Sequence, residues 1–270
     1  MSKGSEVELL IEEAEKAAFS GWDFSWLERR RITESEENLL ALYDRRAHSL
    51  LQTAQAFFDH GTGGGEHLGR LGPFPKISLA TEAYPPNVGL AARNLSSAGV
   101  QVIQVEDACF DSRGPGLDGS FPERRLPFQD ASFDLVLAYN SAFCPAEIFR
   151  VLRSGGTLLT CQVGANIAPT LAEILGGPVP IWAQEGHTWD IDGTLTEAGF
   201  ISIEKRQTVQ KVTYKDIGAI VYFLKAVPWI ITDFEVELYR EPLLKLHHLI
   251  KAKGSFTTRH KQLLFEVRKP

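Results

Sequence analysis

The run Phe57-Phe58-Asp59-His60-Gly61-Thr62-Gly63-Gly64-Gly65-Glu66 leaves this chain few folds to choose from. An apolar strand ends in a carboxylate and passes at once into a glycine loop that opens a helix. Glycines at alternate positions tolerate φ > 0 and let backbone N–H groups approach a ligand at the mouth of a parallel sheet. A small, partly polar ligand is therefore expected at that mouth.

The letters narrow the ligand. A dinucleotide fingerprint, Gly-x-Gly-x-x-Gly counted from Gly61, would place Glu66 where a pyrophosphate must pack, which counts against a nicotinamide-dependent reductase. A nucleoside-triphosphate loop needs Lys and Ser/Thr after its last glycine, and here Glu66-His67-Leu68 follow. What remains is Asp59-x-Gly61-x-Gly63-x-Gly65, an acid two residues ahead of the glycines, suited to a ligand with an ammonium group and hydroxyls.

This run resembles the first motif of the class I S-adenosylmethionine-dependent methyltransferases, and later blocks are similar to that family in order. Glu82 ends Lys76-Ile77-Ser78-Leu79-Ala80-Thr81-Glu82, and Asp107 ends Val100-Gln101-Val102-Ile103-Gln104-Val105-Glu106-Asp107. Leu126-Pro127-Phe128-Gln129-Asp130-Ala131-Ser132-Phe133-Asp134-Leu135-Val136, and the stretch from Glu147 to Leu158, match the fourth strand, helix and fifth strand. The resemblance implies an α/β, Rossmann-like fold with a seven-stranded, mostly parallel sheet, helices on both faces and an antiparallel last strand. It implies S-adenosyl-L-methionine as cofactor. Asp59, Gly61, Thr62, Gly63 and Gly65 would pass under its methionine part, Glu82 and Ala83 would meet the ribose, Asp107 and Ala108 the adenine, and Tyr139 would lie near the transferable methyl.

The bulk properties bound the partners. With 270 residues, 44% hydrophobic and 23% charged, the chain can bury one full α/β core with additions. A net charge of -6 gives no bulk attraction to a polyanion, so nucleic acid is not the expected partner. Cys109, Cys144 and Cys161 are too far apart in sequence for a C-x-x-C motif and suit a reducing cytoplasm. No apolar run reaches membrane-spanning length, so no membrane is expected.

The expected organisation is an N-terminal helical cap over 1–53, a cofactor-binding core over 54–206, a helical insertion over 207–255 between the sixth and seventh strands, and a final core strand over 256–270. Within the cap, Ser5 to Glu8 has capping-box spacing for a helix reaching about Phe19, and Thr33 to Glu36 has it for a second helix running to Leu51. Between them Trp22, Phe24 and Trp26 either pack on the core or form a flap over the site. Residues 109–125 read as an inserted surface loop. Lys215–Val227 and Glu235–Lys253 read as the insertion's helices, a candidate substrate cover.

Methyl transfer from a sulfonium needs alignment above all, and a base only where the acceptor must lose a proton. His187, between two indoles after the fifth strand, is the candidate base, or else a loop histidine that only hydrogen-bonds. Tyr139 and Asn140 are candidates to orient the acceptor. Trp22, Trp182, Trp189 and Trp229 fall outside the core motif and suggest a pocket for a flat or apolar molecule, provided at least two of them converge. Gln162, at the end of the fifth strand, either faces the acceptor or satisfies backbone. No metal is expected. The leading reading is methyl transfer to a small organic acceptor; the alternatives are an RNA methyltransferase, if Arg29, Arg30, Arg31, Arg45, Arg46, Arg124 and Arg125 gather on the cofactor face, and a binding module that keeps the fold without catalysis.

Overall fold

The computed structural model describes residues 5–106, 125–166, 170–179, 190–232 and 234–270. The strands are β1 (Arg31–Ser35), β2 (Ala56–Asp59), β3 (Ile77–Glu82), β4 (Gln101–Gln104), β5 (Phe133–Tyr139), β6 (Leu152–Asn166), β7 (Ile201–Tyr214) and β8 (Phe256–Arg268). They form one sheet in the order β1-β7-β8-β6-β5-β2-β3-β4. Strands β2 to β6 pair in parallel, β8 lies antiparallel between β6 and β7, and β1 pairs antiparallel with β7. The helices are α1 (Glu6–Lys16), α2 (Leu39–Leu51), α3 (Pro85–Leu95), α4 (Pro145–Val151), α5 (Leu171–Leu175), α6 (Ile191–Glu197), α7 (Ile217–Ala226) and α8 (Arg240–Lys253). Asp107, Ala108, Trp182, His187, Trp189, and residues 109–124 of the inserted stretch, lie outside the described residues.

The central strand shows why both faces of the sheet carry helices. Every residue of β2 is buried, and alternation sends consecutive phenylalanines in opposite directions. Phe57 joins Leu39, Tyr43, Ala47 and Leu51 of α2 and Leu95 of α3; Phe58 joins Ile148 and Val151 of α4 and Ile191 and Leu195 of α6. Burying each ring is worth about 1.5–3 kcal/mol relative to leaving it in water. A third cluster packs α1, α5, α7 and α8 together with Val212 and Tyr214 at the end of β7. Helix α7 is buried nearly all round, as its apolar sequence requires.

The strand β1 corrects the expected seven-stranded sheet to eight. Thr33 to Glu36 does not cap a helix: Thr33 stands opposite Val212 and Ile32 opposite Thr213 in the β1–β7 ladder. An open edge of β7 offers backbone partners along the whole segment, whereas a cap satisfies only helix-end N–H groups, and β-branched Ile32 and Thr33 favour extended backbone. Helix α2 starts later, with the Asn38 side chain accepting from Ala41 N at 3.0 Å. The other capping box is present: Ser5 N donates to the Glu8 carboxylate at 3.0 Å. Strand β7 runs on to Tyr214, past the expected start of the insertion at 207, so the helices before β8 begin at Ile217.

The sheet order fixes where a ligand can go. From β2 the chain steps outward through β3 to β4, then returns to place β5 on the other flank of β2. Open α/β sheets bind ligands in the crevice outside the carboxyl ends of the strands at such a switch point. Here that crevice lies where Asp59 ends β2, Glu82 ends β3 and Tyr139 ends β5.

Candidate functional site

The glycine loop is held tightly from below. Thr62 N donates to Thr81 O at 2.9 Å, Gly61 N to the Thr81 hydroxyl at 3.3 Å, and His60 N to Leu137 O at 2.8 Å. Gly61, Gly63 and Gly65 have φ of 68°, 62° and 81°, in the left-handed region. At all three the surroundings also need the missing Cβ: on Gly61 it would stand 1.9 Å from Ser141 Oγ, on Gly65 2.9 Å from Leu95 Cγ, and on Gly63 3.2 Å from Trp22 Cδ1.

Two acids close the rim. Glu82 is buried and accepts from Gly63 N at 2.6 Å through Oε2 and from Tyr84 N at 2.8 Å through Oε1, so it sets the shape of the loop. Ala83, the next residue, is half-buried. Asp59 is buried, and its carboxyl is pushed up to about 7 by burial; Thr62 and the charge of His67 pull it down, and like charge on Glu82 pushes it further up. The Thr62 hydroxyl is close enough to favour ionised Asp59, yet its geometry falls short of a hydrogen bond. A second buried hydroxyl, on Tyr43, likewise has no partner, and its electrostatic neighbours include Asp59. A buried acid beside two unsatisfied hydroxyls fits a polar, cationic ligand group.

At the end of β5, Tyr139 is half-buried and Asn140 exposed, with Asn140 at φ 47° and its N–H on Cys161 O at 2.8 Å. The amide of Gln162 faces inward: buried, it donates to Ser141 O at 2.9 Å and to the Thr160 hydroxyl at 2.8 Å, fixing the loop after β5. His60 is also structural. Its Nε2 lies 2.9 Å from Ala142 O, which can only accept, so the proton sits on Nε2; burial lowers the ring's pKa to about 4. The Cys161 thiol is buried and pushed up to about 12, an inert group.

The N-terminal aromatics divide between the two expected roles. Trp26 stacks on Tyr222 with ring centroids 4.6 Å apart, and Phe24 lies 6.0 Å from Phe223, so both pack on α7. Trp22 instead covers the glycine loop and meets Trp229 edge-on at 5.6 Å. Two of the four expected indoles therefore converge, Trp22 on the glycine loop and Trp229 against Trp22. Beside Trp22, Gly21 lies against Glu66 and Leu90, and the Tyr222 hydroxyl reaches Ala18 O at 3.3 Å.

Sequence reasoning passed over three residues that meet at this rim. Tyr43 and Asp44 stand within the helix expected to run to Leu51, and His67 entered only in excluding a nucleoside-triphosphate loop. Yet His67 Nε2 lies 2.7 Å from Asp44 Oδ1, and its ring is 4.5 Å from Tyr139 and 5.8 Å from Tyr43. The available signal was a histidine two residues beyond the last glycine. Of the arginines, Arg30 pairs with Glu13 and Asp216, Arg46 with buried Glu266, and Arg125 with Asp130, while Arg124 lies outside the described residues. Among the described residues no cluster of His, Cys, Asp or Glu is placed to hold a metal ion, and no helix is long and apolar enough to cross a membrane.

No protein-family model and no curated protein matches this sequence. Solved structures are similar at the level of the fold. A provisionally assigned methyltransferase from Bacillus halodurans superposes with a TM-score of 0.55 at 18% identity, covering 84% of this chain and 98% of the other. YcgJ from Bacillus subtilis gives 0.54 at 16%, covering 85% and 98%, and a functionally unknown protein from Deinococcus radiodurans gives 0.54 at 15%, covering 89% and 91%. Identities this low speak to the fold alone, which is that of the class I methyltransferases.

Proposed function

We propose that this chain, built on the class I methyltransferase fold, is an S-adenosyl-L-methionine-dependent methyltransferase acting on a small organic acceptor. The observation that carries the reading is the meeting of buried Asp59, Glu82 and the left-handed glycines at the switch point of the sheet. Asp59 and Thr62 would hold the ammonium end of the cofactor, Gly61, Gly63 and Gly65 would let its backbone approach, and Glu82 with Ala83 would take the ribose. Asp107 and Ala108 are carried from the sequence as the adenine side. When bound, the cofactor supplies a methyl group on a sulfonium, an excellent leaving group.

The chain's own residues supply position and cover. Trp22 covers the loop, and with Trp229 against it the pair would present flat apolar faces to an acceptor, which suits a small aromatic or apolar molecule. Tyr139 and Asn140 stand at the strand end where an acceptor must align, and Gln162 fixes the loop that follows them. His187 and Trp189 remain sequence-based candidates for base and acceptor contact. The pairing of Arg30, Arg46 and Arg125 with carboxylates favours the small acceptor over RNA.

The test is incubation of the protein with methyl-labelled S-adenosyl-L-methionine and the small-molecule fraction of a cell extract. Label in an organic product supports the reading. Cofactor binding without transfer to any fraction supports the non-catalytic module instead.

A further inference from the structure

We infer that His67, oriented by Asp44, is the proton acceptor of this site, serving an acceptor whose attacking atom carries a removable proton, such as a phenol or an ammonium group. The inference rests on the methyltransferase reading and adds a base that the sequence did not suggest.

Three elements bring the group to the crevice. Asp44 comes from α2, His67 from the end of the glycine loop, and Tyr139 from the end of β5. The Asp44 carboxylate can only accept, so at 2.7 Å it fixes the proton on Nε2 and leaves the lone pair on Nδ1. Among the described residues Nδ1 has no protein partner. The ring is steered by Tyr139 at 4.5 Å and Tyr43 at 5.8 Å, and its charge is felt by Asp59, so it stands beside the switch-point crevice.

The side chains of His67 and Asp44 are 28% and 39% exposed, open enough for a substrate to reach. A hydrogen-bonded pair so exposed adds little to stability and makes a poor staple between α2 and the loop. A carboxylate holding one imidazole nitrogen while the other, among the described residues, is left without a protein partner is the arrangement of an oriented general base. The ionisable groups around it are Asp44 and Tyr43 on α2, Asp59 at the end of β2 and Tyr139 at the end of β5.

In the step this assigns, the acceptor's X–H bond breaks and its proton passes to Nδ1. With the cofactor bound, the electron pair left on X would enter the new bond to the methyl carbon, and the pair of the methyl–sulfur bond would stay on sulfur. Asp44 holds the Nε2–H of the imidazolium, which then gives its proton to water. Asp44 is thus a positioning residue, and His67 the group that meets the acceptor.

The test uses His67→Gln and Asp44→Asn in the full chain, with three readouts. Calorimetry with S-adenosylhomocysteine should give affinities within about twofold of the parent for His67→Gln, while labelled transfer to the small-molecule extract falls about 100-fold near neutrality and recovers as pH rises. Asp44→Asn should lower the rate about tenfold with little change in KM and move the acid limb of the pH profile. Nitrogen-15 NMR of the histidines should show His67 protonated on Nε2 and bare on Nδ1 in the neutral ring. Transfer by His67→Gln within twofold of the parent at every pH, the opposite tautomer, or loss of cofactor binding together with transfer would each overturn the assignment. A parent protein that neither binds S-adenosylhomocysteine nor transfers label would overturn the methyltransferase reading, and this inference with it.

Discussion

The indole of Trp22 lies on Gly63, with Cδ1 3.2 Å from the place a Cβ would take, while the Glu82 carboxylate grips the same glycine's N–H from the other side at 2.6 Å. Gly63 is thus held between a ring and an acid in a left-handed conformation at φ 62°. Gly63→Val adds a left-handed penalty of roughly 1–2 kcal/mol to a contact with no room for a branched side chain. Chemical denaturation should show a loss of at least that size, and calorimetry a drop in S-adenosylhomocysteine affinity of more than about tenfold. Wild-type values in both would mean that the loop neither needs the glycine nor meets the ligand.

Glu82→Gln separates shape from charge. An amide can accept at only one of its two ends, so either Gly63 N or Tyr84 N loses its partner. The cost should be about 1–3 kcal/mol in denaturant midpoints. Glu82→Ala should lose both bonds and bind cofactor more weakly still. Equal stability of the two variants would show that only one of the bonds matters.

The pH dependence of stability follows from Asp59. Its folded pKa of about 7 lies above the ordinary 3.8, so between these values the folded state holds a proton that the unfolded chain has lost. Stability from this group is therefore fully present below about pH 4 and declines as pH rises to about 7, by about 1.4 kcal/mol for each unit. Buried His60 and His260, lowered to about 4, slope the other way over roughly pH 4 to 6.5, masking the effect in the parent. The difference between Asp59→Asn and parent isolates it: the variant should gain relative stability from pH 4 to 7 and then level off. A flat difference would show that Asp59 titrates normally.

Trp22 and Trp229 should be coupled. Their edge-on contact at 5.6 Å predicts a double-mutant interaction of about 0.5–1.5 kcal/mol between Trp22→Ala and Trp229→Ala. Additive losses would mean that the two rings do not share a roof in solution.

What the letters revealed and what they hid divides by range. The glycine loop, Glu82 at its strand end, the Ser5–Glu8 cap and helix α7 depend on neighbours a few residues away, and all were legible. Strand β1 was not, because Thr33 and Glu36 carry a helix-start spacing while the segment's backbone partners lie on β7, across nearly the whole chain. The Trp22–Trp229 contact and the Asp44–His67–Tyr139 cluster were hidden for the same reason: each joins elements that only the closed sheet brings together. Gln162 was a true ambiguity, since an amide at a strand end can serve backbone or ligand, and Ser141 O and the Thr160 hydroxyl decide how its donors are used.

The most direct measurement is calorimetric titration of the full chain with S-adenosyl-L-methionine at pH 6.5, in two buffers of different ionisation enthalpy. One molecule should bind per chain and release up to about three-quarters of a proton as Asp59 ionises beside the incoming cation, and Asp59→Asn should abolish the release and weaken binding. Absence of binding by the parent, or undiminished affinity in both Asp59→Asn and Glu82→Ala, would contradict a cofactor site at the ends of β2 and β3.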